Sequence, residues 1–230
     1  MSSTLDPRDL AAVADAALRF VDDGMTIGLG TGRAAEAFIR ALGARVASSG
    51  MRLRGVPTSV RSEKLAREVG LAVTSLDEVA ELDAAFDGAD EVAPDLGLIK
   101  GLGGAHLRER VVAGAAKRFV VLVTPDKLVP KLGTKCPVPV EVVEFARVPV
   151  GRALERLGAA VTRRTAADGT PFTTDNGNPI LDARFAPIDD PVALEASIRR
   201  VPGVIDTGLF LGLAERVLVG EGGAAREMVR

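Results

Sequence analysis

Apolar residues at positions 10, 13, 14, 17, 18 and 21 recur at helical spacing and leave one face to lay against a sheet. Asp6-Pro7 supplies the start signal, a capping carboxylate followed by a proline at the first helical position. After Asp22-Asp23-Gly24 the pattern changes to a short continuous apolar run over 25–29, ending in Gly30-Thr31-Gly32. Such a run reads as a buried strand entering a turn. Helical spacing returns over 34–46, and 53–56, 72–74, 84–86 and 119–123 read as further strands separated by helical segments. Alternation of this kind predicts a parallel sheet covered by helices on both faces. Ligands of such folds sit at the carboxyl ends of the strands, which here carry Gly30-Thr31-Gly32, Thr58-Ser59 and Asp87-Gly88-Ala89-Asp90.

From about residue 132 the order becomes strand 138–143, helix 150–157, strand 160–164, strand 180–184, helix 192–200 and strand 204–209, with turn chemistry at Asp175-Asn176-Gly177-Asn178. This is the βαββαβ order of a ferredoxin-like unit. The expected organisation is therefore a Rossmann-like domain over 1–131, completed by 210–230 through a strand at 216–219, with a ferredoxin-like domain inserted at 132–209.

Composition narrows the function classes. A chain of 230 residues with 47% hydrophobic and 26% charged side chains is too apolar for disorder. A net charge of -2 and the absence of Trp and Tyr leave neither a basic stripe nor a stacking platform for nucleic acid. No apolar run approaches the roughly 20 residues of a membrane span, so no membrane partner and a cytoplasmic location are expected. The single Cys136 fits a reducing compartment and reads as a structural thiol.

The Gly28-Leu29-Gly30-Thr31-Gly32 segment opens a helix, where free amides and the helix dipole favour an anion. It lacks the third glycine of a dinucleotide fingerprint, which falls on Ala35, and the lysine of a nucleotide P-loop. Taken singly it fits a ligand-free tight turn equally well. Asp87, Asp90 and Glu91 put three carboxylates in five residues. Carboxylates suit magnesium, but a solvated acidic loop would look the same, and no metal is expected. Asp87 directly follows an apolar strand end, where a carboxylate is partly desolvated and its proton affinity tunable. The stretch from Lys100 to Glu109 combines glycines, which let backbone approach a ligand, with a carboxylate early in the following helix. Glu109 would otherwise read as a surface partner of Arg108 or Arg110, and His106, the only imidazole, as a packed or capping residue.

Together these segments resemble the A-type ribose-5-phosphate isomerases. The similarity runs through residues 28–32, Thr58-Ser59, 87–91, 100–109, Phe119 with Lys127, Pro139-Val140-Glu141-Val142, 174–182 and Pro202-Gly203-Val204. The resemblance implies a cofactor-free aldose-ketose isomerase of the non-oxidative pentose phosphate pathway, acting on a small sugar phosphate and assembled as a homodimer or homotetramer. It casts Glu109 as the base that moves a proton between C1 and C2, Lys100 and Asp90 as positioning and charge-stabilising groups, and Asp87 as an aid to ring opening. Thr31 with its neighbours Gly30 and Gly32, together with Thr58, Ser59, Gly101, Gly103 and Lys127, is cast as contacting phosphate and substrate. The chain departs from the family pattern at Arg33-Ala34, where Ser-Thr is common, at Ala11 and Ala12, where lysines are common, and at Leu102, which interrupts the glycine run. A guanidinium at Arg33 is a natural replacement for the missing phosphate contacts. Its bland alternative is an ion pair with Glu36 on the same helix.

Two rival functions share a related fold. A sugar-phosphate sensor of a transcription regulator would need a DNA-binding module, and only one predicted helix precedes the first strand. A hexosamine-phosphate deaminase would be expected to carry a better equipped proton relay than one His.

Overall fold

The structure is a computed structural model that describes residues 6–230. Asp6 caps the helix Pro7–Leu18 by accepting the Arg8 amide at 2.9 Å, and Val13, Ala14, Ala16 and Ala17 are buried along its apolar face. The central sheet has seven strands in the order Ala224–Val229, Arg216–Glu221, Phe119–Val123, Ala84–Gly88, Thr26–Leu29, Arg54–Pro57 and Ala72–Val73. Every pairing is parallel except that of Arg216–Glu221 with Ala224–Val229. The strands Thr26–Leu29 and Phe119–Val123 are buried at every position, as expected of strands covered on both faces. Phe38, from the helix Arg33–Ser49, stacks on Phe86 with ring centroids 4.4 Å apart, and both rings are fully buried with Ile27, Leu29 and Leu42.

The contacts divide the chain into two compact units. One runs to Ala89 and takes in Arg108–Leu128 and Leu213–Arg230, and the other comprises Asp90–Leu107 and Val129–Gly212. Residues 90–107, assigned by the sequence reading to the first domain, thus cluster with the second.

The second unit contains a four-stranded antiparallel sheet in the order Val204–Thr207, Val138–Val142, Ile180–Arg184, Ala160–Arg163, with the helices Arg147–Arg156 and Pro191–Arg199 in the βαββαβ succession. Val138, Val140 and Val142 point one way by strand alternation and join Val150, Leu154 and Ile198 in its core. The expected single strand at 204–209 is instead two. Val204–Thr207 pairs with Val138–Val142, whereas Leu209–Phe210 pairs with Leu98–Ile99 in a small second sheet completed by Glu91–Val92. The break falls at Gly208, whose amide donates to the Pro139 carbonyl at 2.7 Å and whose carbonyl accepts the Lys100 amide at 2.9 Å. A Cβ there would lie 2.2 Å from the Lys100 carbonyl oxygen, so only glycine lets the backbone pass from one sheet to the other. Among the described residues no helix is long and apolar enough to cross a membrane.

The stacked pair gives the first prediction. Phe38→Ala should lower unfolding free energy by about 3 to 5 kcal/mol in urea titrations, the usual cost of deleting a buried ring. A loss below about 1 kcal/mol would show that the first core closes without the stack.

Candidate active site

Parallel register brings four strand ends of the first unit to one edge. Leu29 is level with both Pro57 and Phe86, and Gly88 is level with Leu122. Gly30 and Thr58 therefore leave the sheet at the level of Asp87, which is still in its strand, and the turn Pro125–Lys127 follows the next strand. The Gly30 amide continues the ladder to the Phe86 carbonyl and the Thr58 amide to the Leu29 carbonyl, both at 2.9 Å.

Asp87 organises this edge. It is only 2% exposed, and its Oδ1 accepts the amides of Thr31 at 3.0 Å and Gly88 at 2.7 Å. The approach of the Gly30 backbone is what makes the first of these bonds reachable, since a Cβ on Gly30 would stand 2.3 Å from the Asp87 carboxyl carbon. Gly32 then turns the chain with φ of 103° and caps the helix Arg33–Ser49 without a side-chain bond, leaving amides at that N-terminus for an anion. Beside it the helix Val60–Glu68 starts with a capping box between Ser59 and Ser62. The Thr31 hydroxyl joins the two helix starts, 2.8 Å from the Thr58 hydroxyl and 2.7 Å from that of Ser59. Thr58 and Ser59 are buried, and half-buried Thr31 is the most accessible of the three hydroxyls.

Two cations flank this edge. Arg33 is exposed at the first position of its helix, and Glu36, its expected ion-pair partner on the same helix, instead pairs with Arg61 at 2.7 Å. Lys127 closes the turn Pro125–Lys127, half-buried, with Nζ 3.7 Å from Asp126. Glu109 lies in the first turn of the helix His106–Gly114 and is 5% exposed, so it is not the solvated surface carboxylate that pairing with Arg108 or Arg110 would imply.

The remaining candidates belong to the second unit. Lys100 is 2% exposed, with Nζ 5.5 Å from the centroid of the Phe210 ring. The Asp90 carboxylate accepts the Leu102 amide at 2.9 Å, so the residue that departs from the family's glycine run is used through its backbone while its side chain stays exposed. Gly101 has φ of 104°, and a Cβ there would lie 2.7 Å from the His106 ring. His106 is thus a packed residue, fully buried against the loop. Gly103 is exposed. Glu91 proves not to belong to a solvated acidic loop. It is fully buried and accepts the amides of Gly133, Lys135 and Cys136 at 2.6, 2.5 and 2.6 Å, which makes it a structural carboxylate. Arg164, not among the residues expected from the sequence, donates from Nη1 to the carbonyls of Gly101 at 2.6 Å and Leu102 at 3.1 Å. Its only sequence signal is the Arg163-Arg164 pair at a strand end, which looks like any surface pair.

Known proteins share this architecture. The sequence profile of the family Ribose 5-phosphate isomerase A (phosphoriboisomerase A) matches residues 54–223. A ribose-5-phosphate isomerase A of Roseiflexus sp. (strain RS-1) is 51% identical over 207 residues, covering 90% of this chain and 89% of that one. The solved ribose 5-phosphate isomerase A of Methanocaldococcus jannaschii superposes with a TM-score of 0.92 at 43% identity, over 96% of this chain and 98% of that one. A D-ribose-5-phosphate isomerase solved in complex with phospho-erythronic acid superposes with a TM-score of 0.94 at 40% identity, over 96% and 98%.

The Gly30–Asp87 contact can be tested without any assay of chemistry. Gly30→Ala should cost about 1 to 3 kcal/mol in urea unfolding, the range for overpacking a rigid site. Gly114→Ala, where an added Cβ meets nothing within 4 Å and φ is ordinary, should be neutral or stabilising by about 0.4 to 1 kcal/mol. Equal effects at the two positions would mean that Asp87 moves aside freely.

Proposed function

The chain belongs to the ribose 5-phosphate isomerase A family and isomerises ribose 5-phosphate; we propose that it does so through an enediolate, with Glu109 as the base. In the ring-opened aldose the C2 proton is acidified by the C1 carbonyl. Glu109 takes that proton, the electron pair moves to O1, and a proton passes from O2 to O1. Glu109 then returns its proton to C1, leaving the ketone at C2. Asp87 assists ring opening, while Lys100 and Asp90 hold the substrate and offset charge on the enediolate oxygens. The loop Gly30-Thr31-Gly32 with Arg33, Thr58, Ser59 and Lys127 takes the phosphate, and Gly101 and Gly103 let the backbone approach the sugar.

The observation that carries this reading is the strand edge itself, where the buried Asp87 carboxylate holds the Thr31 and Gly88 amides beside two helix N-termini and the cations Arg33 and Lys127. That edge offers amides and positive charge to a phosphate next to a carboxylate withdrawn from water. The phospho-erythronic acid held by a relative supports it chemically, since its planar carboxylate on a phosphorylated chain resembles the two oxygens of an enediolate. The proposal extends to work without a cofactor, in the cytoplasm, as a homodimer or homotetramer, which light scattering would test.

Glu109→Gln should fold but lose about 10²- to 10⁴-fold in turnover, because an amide cannot accept the proton. Exchange of the C2 proton in deuterated water at the parent rate would assign the base elsewhere. For the phosphate, Arg33→Ala should raise KM with little change in kcat, since phosphate lies away from the reacting carbons and aids ground and transition states alike. Unphosphorylated ribose serves as control, being indifferent to the substitution, and parental KM for ribose 5-phosphate would return the phosphate to Lys127 and the backbone amides.

A further inference from the structure

We propose that Arg164 is a positioning residue for the isomerisation, holding the peptide unit between Gly101 and Leu102 in the one orientation that keeps Asp90 and Lys100 in place. The inference rests on the roles proposed above for Asp90 and Lys100. That peptide unit is gripped at both ends. Its carbonyl, on Gly101, accepts Arg164 Nη1 at 2.6 Å, and its N–H, on Leu102, donates to Asp90 Oδ2 at 2.9 Å. The following carbonyl, on Leu102, accepts the same Nη1 at 3.1 Å. Gly101 takes φ of 104°, a region glycine enters without strain and leaves as easily, so the hydrogen bonds to its peptide unit are what fix the loop in this conformation.

The guanidinium is itself fixed. Arg164 is 9% exposed and engages Asp182 with both prongs of its fork, Nε to Oδ2 at 3.0 Å and Nη2 to Oδ1. Its backbone is tied on both sides, the amide donating to the Ile180 carbonyl at 2.9 Å and the carbonyl accepting the Phe172 amide at 3.0 Å. The Phe172 ring lies 5.9 Å from the guanidinium carbon and fills the space beside Gly104, where a Cβ would stand 2.4 Å from the ring. The strand Ile180–Arg184 thus supplies the anchor, Arg164 the lever and the glycine loop the load. Because Arg164 draws on the carbonyl end of a peptide whose amide end faces Asp90, it also polarises the bond that orients that carboxylate. An arginine is required, since no other side chain can hold a carboxylate with one prong pair and still present a further N–H to two carbonyls.

Arg164→Lys keeps the charge but not the fork. It should fold, with an unfolding midpoint near the parent's, and lower kcat by about 10- to 100-fold, the usual cost of a misplaced site, while KM rises by no more than about threefold. Asp182→Asn, which frees the fork and preserves volume, should act in the same direction if the lysine variant fails to fold. The decisive measurement is a double-substitution cycle with Asp90→Asn. Because both side chains act on one peptide unit, Arg164→Lys should cost less in kcat on the Asp90→Asn background than on the parent. Independent effects, or parental kcat in both Arg164→Lys and Asp182→Asn while Lys100→Ala is inactive, would overturn the positioning role and leave the site reading standing. Parental turnover by Lys100→Ala would overturn that reading and the positioning role with it.

Discussion

A carboxylate taken out of water must find hydrogen bonds nearby, and at Asp87 they come from the backbone. Its oxygen gathers the amides of Thr31 and Gly88, which pins the turn after one strand to the end of its neighbour. Other features of this edge follow from that bond. Position 30 must lack a side chain, Gly32 must turn sharply enough to start a helix, and the Thr31 hydroxyl is delivered to those of Thr58 and Ser59. The edge of the first unit is tied together because one buried carboxylate oxygen takes amides from two neighbouring strand ends.

The same device recurs in the second unit with other donors. Buried Glu91 takes three amides of the segment around Gly133, while half-buried Asp90 takes the Leu102 amide and half-buried Asp182 a guanidinium. Asp87, Asp90 and Glu91 stand within five residues yet have separate partners. Each is assigned by the backbone that surrounds it, and chain proximity decides nothing.

The regular elements were largely legible in the sequence. Long apolar runs such as 119–123 and helices with a clear cap, such as the one started by Asp6-Pro7, are set by local periodicity and turn chemistry. Pairs of two-residue strands, Glu91–Val92 and Leu98–Ile99, are too short to show a period. The last strand, Ala224–Val229, is a mostly exposed edge with a weak apolar signal, and it was missed too. At the strand edge, the position of Asp87 and the turn at Gly30 were readable because strand ends and glycines announce themselves. Glu91 looked solvated and Arg164 looked ordinary, since their partners are 42 and 63 residues distant along the chain. Long-range satisfaction of charge leaves no local mark.

Gly208 has a dynamic consequence. Its two backbone bonds fasten the sheet of Val138–Val142 to the small sheet of Leu98–Ile99, the carbonyl gripping the Lys100 amide and the amide gripping Pro139. Neither sheet can fray alone at this point, because opening one strips the other of a bond. In hydrogen exchange the amides of Lys100 and Gly208 should therefore open in a single cooperative event with the second core, sharing its protection and its denaturant dependence. A loop drawn from a glycine-rich stretch would then be, at its lysine end, among the slowest-breathing parts of the unit, with the mobility that glycine permits confined to the residues just beyond.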